Sequence, residues 1–145
     1  MRPLSAGDVG TLEVMTDGDD EGAARLGMPP TQWWHLVRDD PDRYGWMILQ
    51  NGDEIGYLDA EKDGRCVYVA LLVFRDMRGR GTARQVIRRA LAEPVFCSAE
   101  AIIACVELNN HAARRLAGSV GFIETGLDAD GLMTHHLEPP SVGTD

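Results

Sequence analysis

The chain has 145 residues, the length of one domain with a real hydrophobic core. Its 23 acidic against 14 basic side chains leave a net charge of −9 and a pI near 4.8, which argues against nucleic acid and anionic membrane surfaces as partners. No apolar run approaches the roughly 18 residues of a membrane span, no apolar signal core opens the chain, and three scattered cysteines without a CxxC pair suggest neither a metal site nor a disulfide framework, so a cytoplasmic protein is expected.

In chain order, residues 1–4 read as a short edge strand. Ser5 is placed to cap a helix over 6–15, with Asp8 completing a capping box. Asp17, Asp19, Asp20 and Glu21 then make either a solvated acidic loop or a rim that attracts cations. Pro29 and Pro30 break the chain, and Thr31 can cap a helix to about Asp39, stopped by Pro41. Its Trp33 and Trp34 point about 100° apart, so one belongs to the core and the other is free to line a cleft. Strands at 44–50, 54–61 and 66–74 follow, joined by Asn51-Gly52 and Asp63-Gly64, dipeptides that accept positive φ in hairpin turns. Apolar Ala83, Val86, Ile87, Ala90 and Leu91 mark one face of a helix over 78–92, closed by Glu93-Pro94. Residues 101–106 are almost wholly apolar and read as a central strand buried on both faces. Asn109 or Asn110 caps a further helix with the stripe Ala113, Leu116, Ala117 and Val120, and Gly121 stands at its C′ position. A last hairpin, 122–127 and 132–137, turns at Asp130-Gly131, and 139–145 reads as a frayed tail. The order is βααβββαβαββ. It predicts an α/β (α+β) fold, a single domain over 1–138 with a mixed, mostly antiparallel twisted sheet of about seven strands and helices on both faces.

The chemistry-bearing stretch is the loop between the third hairpin strand and the helix after it. Arg75, Arg78, Arg80, Arg84, Arg88 and Arg89 are six of the fourteen basic residues, gathered in a short span of an acidic chain. A helix that starts directly after a glycine loop presents unpaired N–H groups and the positive end of its dipole, a ready site for phosphate. The loop lacks the Lys-Ser/Thr ending of a P-loop and the spacing of a dinucleotide fingerprint. His135 and His136 point to opposite faces of a strand and cannot chelate together, so no metal is expected, and His111 in a first helical turn reads as solvent-facing.

Arg78, Gly81 and Ala83 resemble the phosphate-loop pattern [R/Q]-x-x-G-x-[G/A] of the GNAT acyltransferase superfamily, after an apolar lead-in ending at Val73. Asn110, Ala113, Leu116, Gly121 and Phe122 match its second pattern, N-x-x-A-x-x-L-Y-x-x-x-G-F, while Ala117 stands where that pattern has tyrosine. The resemblance covers 44–137. It implies acetyl-CoA as acyl donor, with its pyrophosphate on Arg78, Gly79, Arg80, Gly81, Thr82 and Ala83. It implies pantetheine along the backbone of Leu71, Leu72 and Val73, and Asn110 either bonding that arm or capping its helix. The implied reaction is direct attack of a small-molecule or peptide amine on the thioester. With the tyrosine absent, Ser119, Cys105, Tyr57 and Tyr68 are the candidate acids, and Glu107, Glu61, Glu54 and Asp59 the candidate bases. Two other readings stand beside it: a non-catalytic acyl-CoA-binding module, and a mononucleotide-binding regulatory domain. A homodimer is compatible with each.

Overall fold

Two tight turns organise the first hairpins of the structure, a computed structural model that describes residues 1–17, 28–73 and 81–138. Asn51 and Gly52 sit at φ 53° and 85°, and Gly64 at 60°. Left-handed values of this kind let a hairpin turn follow the natural twist of its strands. They separate β2 (Arg43–Gln50), β3 (Asp53–Asp63) and β4 (Cys66–Val73), each close to its expected span. β1 is only Arg2–Pro3, and it pairs antiparallel with β2 through Arg2↔Met47 and Pro3↔Trp46.

The expected cap of the second N-terminal helix is corrected, and that of the first is half met. Helix α1 runs Asp8–Thr16 rather than from residue 6, and its N-cap Gly7 makes no side-chain cap. Asp8 turns its carboxylate back to Ser5 N, at 2.9 Å, the acidic half of the expected capping box, and to both terminal nitrogens of Arg2, at 2.7 Å each. The Ser5 hydroxyl donates to the same carboxylate at 3.2 Å rather than capping an N–H. Helix α2 runs Pro30–Asp39 with Pro30 in its first turn, where a missing N–H costs nothing. Thr31 therefore lies inside the helix, and its hydroxyl donates to Glu13 Oε1 at 3.3 Å.

The chain gathers into two compact units, Met1–Ala60 with Ala70–Gly81, and Glu61–Val69 with Thr82–Asp145. In the first, α1 and α2 close over a core of Leu4, Leu12, Trp33, Met47 and Tyr57. Trp33 is the buried tryptophan and Trp34 the half-buried one. A Cβ on Gly45 would stand 3.1 Å from Val37, 3.2 Å from Trp33 and 3.3 Å from Leu4, so glycine is what lets α2 lie this close to β2. Asp59 ties the unit together. It accepts from Trp33 Nε1 at 2.9 Å and from Arg43 Nε and Nη2, both at 2.8 Å.

The second unit holds α3 (Thr82–Ala90), α4 (Pro94–Cys97), β5 (Ala101–Val106), α5 (His111–Val120), β6 (Ile123–Leu127) and β7 (Met133–Leu137). Helix α3 ends at Ala90, short of residue 92, because the chain turns there so that Glu93 N reaches Ala90 O at 2.9 Å. The one-turn α4 was not expected; Pro94 at its first position starts it. Asn110 caps α5 by accepting from Ala113 N at 3.2 Å, and Gly121 ends it at φ 115°. The seven strands are hydrogen-bonded in the order β1-β2-β3-β4-β5-β7-β6, the mixed seven-stranded sheet expected. β7 lies between β5 and β6, so the last hairpin folds back and leaves β6 at the edge. The register of β6 slips between Glu124 and Gly126. β5 is central, yet only Ile102 and Ile103 are buried, and Cys105 is exposed; burial on both faces holds for two of its six residues. The acidic residues 19–21, Phe74, residues 78–80 of the loop and the tail 139–145 lie outside the described residues. No helix among the described residues is long and apolar enough to cross a membrane.

Candidate active site

β4 and β5 run parallel, and their register is Cys66↔Ala101, Val67↔Ile102 and Tyr68↔Ile103. Among the described residues the pairing ends there, although β5 continues to Val106. Ala104, Cys105 and Val106 remain paired on their other side, with His135, Thr134 and Met133 of β7. Past Tyr68 and Ile103 the facing edges of β4 and β5 share no further registered pair among the described residues. Main-chain polar groups at such a parting take water or a ligand, because leaving them unbonded costs a hydrogen bond's desolvation.

On one face of that parting stand Tyr68 and Cys105, two residues apart in the register and both exposed. Burial first, and then Asp63, Cys105, Cys66 and Glu61, push the Tyr68 phenol above its ordinary value. Burial, then the Asp128 and Asp130 carboxylates, with a hydrogen bond to Asp128, push the Cys105 thiol up. Both groups therefore keep their protons at neutral pH, beside a rim of carboxylates.

At the start of α3, Gly81 has φ 72° and is exposed, and a Cβ on it would meet nothing within 4 Å. Its need for glycine is conformational rather than steric. The first turn of α3 carries no acidic residue, and Arg84, Arg88 and Arg89 have no carboxylate partner among the described residues. That leaves the positive helix end uncompensated, the electrostatic condition for holding phosphate. Thr82 and Ala83 are half-buried in this turn and Leu71 is half-buried on β4.

The remaining candidates fall elsewhere. Tyr57 is 1% exposed in the core, its ring 4.7 Å from that of Trp33. Ser119 spends its hydroxyl on Leu116 O at 2.7 Å. Glu107 is exposed just past β5, with its carbonyl holding Asn110 N at 2.9 Å. Asp59 is committed to Arg43 and Trp33, and Glu54 to Arg2 at 3.0 Å. Asn110 uses its side-chain oxygen as the cap of α5. Ala117 is 6% exposed on the inner face of that helix.

A cluster with no signal in the sequence joins α5 to the last hairpin. Arg114 forks onto Glu124 at 2.9 and 3.1 Å, and Glu124 Oε1 lies 3.3 Å from Nε2 of the fully buried His135. Arg114 foremost, opposed by burial, holds the Glu124 carboxyl below its usual range, with His135 adding to the effect.

Comparison with known proteins agrees with this architecture. A family model described as acetyltransferase (GNAT) family matches residues 12–122. A protein of Bacillus subtilis (strain 168), an uncharacterized N-acetyltransferase called YfmK, is 25% identical over 127 residues, 85% of each chain. An acetyltransferase structure from Thermus thermophilus superposes with a TM-score of 0.79 at 21% identity, covering 94% of both chains. The spermidine N-acetyltransferase of Vibrio cholerae, in complex with CoA and spermine, gives 0.76 at 17% identity over 95% of this chain and 94% of that one.

Proposed function

The chain belongs to the acetyltransferase (GNAT) family, and from that premise we propose how its residues divide the work of an acetyl-CoA-dependent N-acyltransferase. Acetyl-CoA is the acyl donor. Its pyrophosphate is held by the 78–83 loop and the start of α3, where Gly81 supplies the left-handed turn and the arginines the charge. Its pantetheine follows Leu71, Leu72 and Val73, with the amide side of Asn110, left free by the cap, as a second contact. A neutral amine nitrogen attacks the thioester carbonyl, the tetrahedral oxyanion is held by backbone N–H, and the C–S bond breaks to release thiolate. A thiol's pKa near 8.5 makes that thiolate a tolerable leaving group, so a strong acid is not required.

The observation that carries this reading is the end of the registered β4–β5 pairing at Tyr68 and Ile103, beside two protonated groups. Tyr68 and Cys105 are better placed than Ser119 or Tyr57 to return a proton to the leaving sulfur. Glu107, exposed at the end of β5, is the carboxylate we assign to taking the ammonium proton, directly or through water. The carboxylates Asp63, Asp128 and Asp130 around Tyr68 and Cys105 favour a cationic acceptor, a small amine rather than a neutral one.

The test is release of free thiol from acetyl-CoA in the presence of spermidine, a lysine peptide and a peptide with a free N-terminus. Turnover above hydrolysis with at least one amine is expected. CoA binding without turnover on any amine supports the alternative, a non-catalytic acyl-CoA-binding module; Ala117 in place of the family's tyrosine is the feature that favours it.

A further inference from the structure

Arg114 and Arg115 are neighbours on α5 with different employment. Arg114 is pinned by Glu124 on two nitrogens and by the Leu108 carbonyl, 3.0 Å away, on the third. Its charge is cancelled by the carboxylate it holds. Arg115 is exposed and has no ion pair among the described residues. His111 lies one helical turn before it, so both project from the same side of the helix. His111, Arg114, Arg115 and Glu124 line one groove, with a volume of about 270 Å³. With Arg114 and Glu124 offsetting each other, the groove keeps the charge of Arg115, and that of His111 when protonated, in a chain of net charge −9. The positive end of the α5 dipole, which begins at His111, adds to it.

A buried histidine stands behind one wall of the groove. His135 is fully buried, and its Nδ1 lies 3.1 Å from the Met133 carbonyl. Its Nε2 has no hydrogen-bond partner and faces Glu124 Oε1, a groove-lining carboxylate, at 3.3 Å. That contact is electrostatic and not aligned as a hydrogen bond. A buried ring nitrogen left unsatisfied is costly.

We propose that this groove is a binding site for a phosphate-type oxyanion, separate from the acetyl-CoA loop. A tetrahedral oxyanion can accept from the Arg115 fork, the His111 ring and the outer Arg114 hydrogens at once, and the groove has room for a small carrier of the phosphate group. The site does not depend on the acetyl-transfer reading. Inorganic phosphate is titrated into the full chain while NMR follows the His111 ring and the Arg115 Nε–H, with and without saturating CoA. The expected result is saturable shifts of both, unchanged by CoA, lost in Arg115→Ala and at least tenfold weaker in His111→Gln. The KM for acetyl-CoA should be unchanged in either variant. Absence of saturable shifts, or shifts that persist in Arg115→Ala, would overturn the site. Shifts abolished by CoA would overturn it too, because phosphate would then be occupying the acetyl-CoA site.

Discussion

At Gly81 the backbone sits at φ 72° with open space around the position of a side chain. Gly81→Asp should therefore fold, at a cost on the order of 1 kcal/mol for the left-handed conformation, which aspartate tolerates better than most residues. The carboxylate enters where a pyrophosphate is proposed to lie, so CoA affinity should fall by more than tenfold, about 1.4 kcal/mol. Calorimetric titration checks this, and unchanged affinity would remove the loop from the phosphate site. Ala117 presents the opposite situation, with 6% exposure and a carbonyl that receives N–H bonds from Gly121 and Phe122. Ala117→Tyr forces a ring into that space and should cost about 1–3 kcal/mol in denaturant unfolding. A phenol there stands where the family pattern has its tyrosine. The folded variant should keep CoA binding and keep turnover or raise it, by up to roughly 10²-fold for a well-placed acid. A folded variant that no longer binds CoA would make residue 117 packing and nothing more.

The start of α1 shows how an element can depend on one buried carboxylate. Asp8 is 3% exposed and receives two bonds from Arg2 and one from Ser5 N. The Arg2 hydrogen bonds, helped by Ser5 and opposed by burial, hold its carboxyl below the usual range. Its folded pKa is thus lower than its unfolded one, about 3.9. The stabilisation is complete above that unfolded value and is lost as pH falls through the folded one. The stability gap between the natural chain and Asp8→Asn should therefore stay constant from neutrality down to about pH 5 and close below about pH 4. Urea unfolding across the acid range measures it; a gap that persists unchanged in strong acid would assign the effect to packing.

For the molecule as a whole, ligand linkage separates the competing functions. A ligand that binds only the native state at a hundred times its Kd adds about 2.7 kcal/mol. CoA and acetyl-CoA should raise the melting temperature at concentrations where AMP does not. Equal stabilisation by AMP would favour a mononucleotide site, since AMP lacks the pantetheine arm that the parted strands are proposed to hold. The comparison needs no acceptor amine, so it is independent of which one the enzyme uses.

Signals carried by neighbours in the chain were legible in the sequence. Positive φ at Asn51, Gly52 and Gly121 follows from what those residues permit, and the apolar stripes of α3 and α5 follow from helical spacing. The family resemblance was legible too, because its motif residues serve one loop and one helix. Other features were decided only when distant segments met. Only the acidic half of the capping box formed at Asp8, whose carboxylate gathers Arg2 on β1 as well as Ser5. β7 entered between β5 and β6, an arrangement no periodicity encodes, and brought His135 against Glu124. β5, apolar throughout, opened at Cys105 because its pairing with β4 ended two residues earlier. Local conformation is set by each residue's own sterics and spacing, which one sequence displays. Partners across a sheet are chosen by competition among all segments for the same backbone and charged groups, and that competition is resolved only in three dimensions.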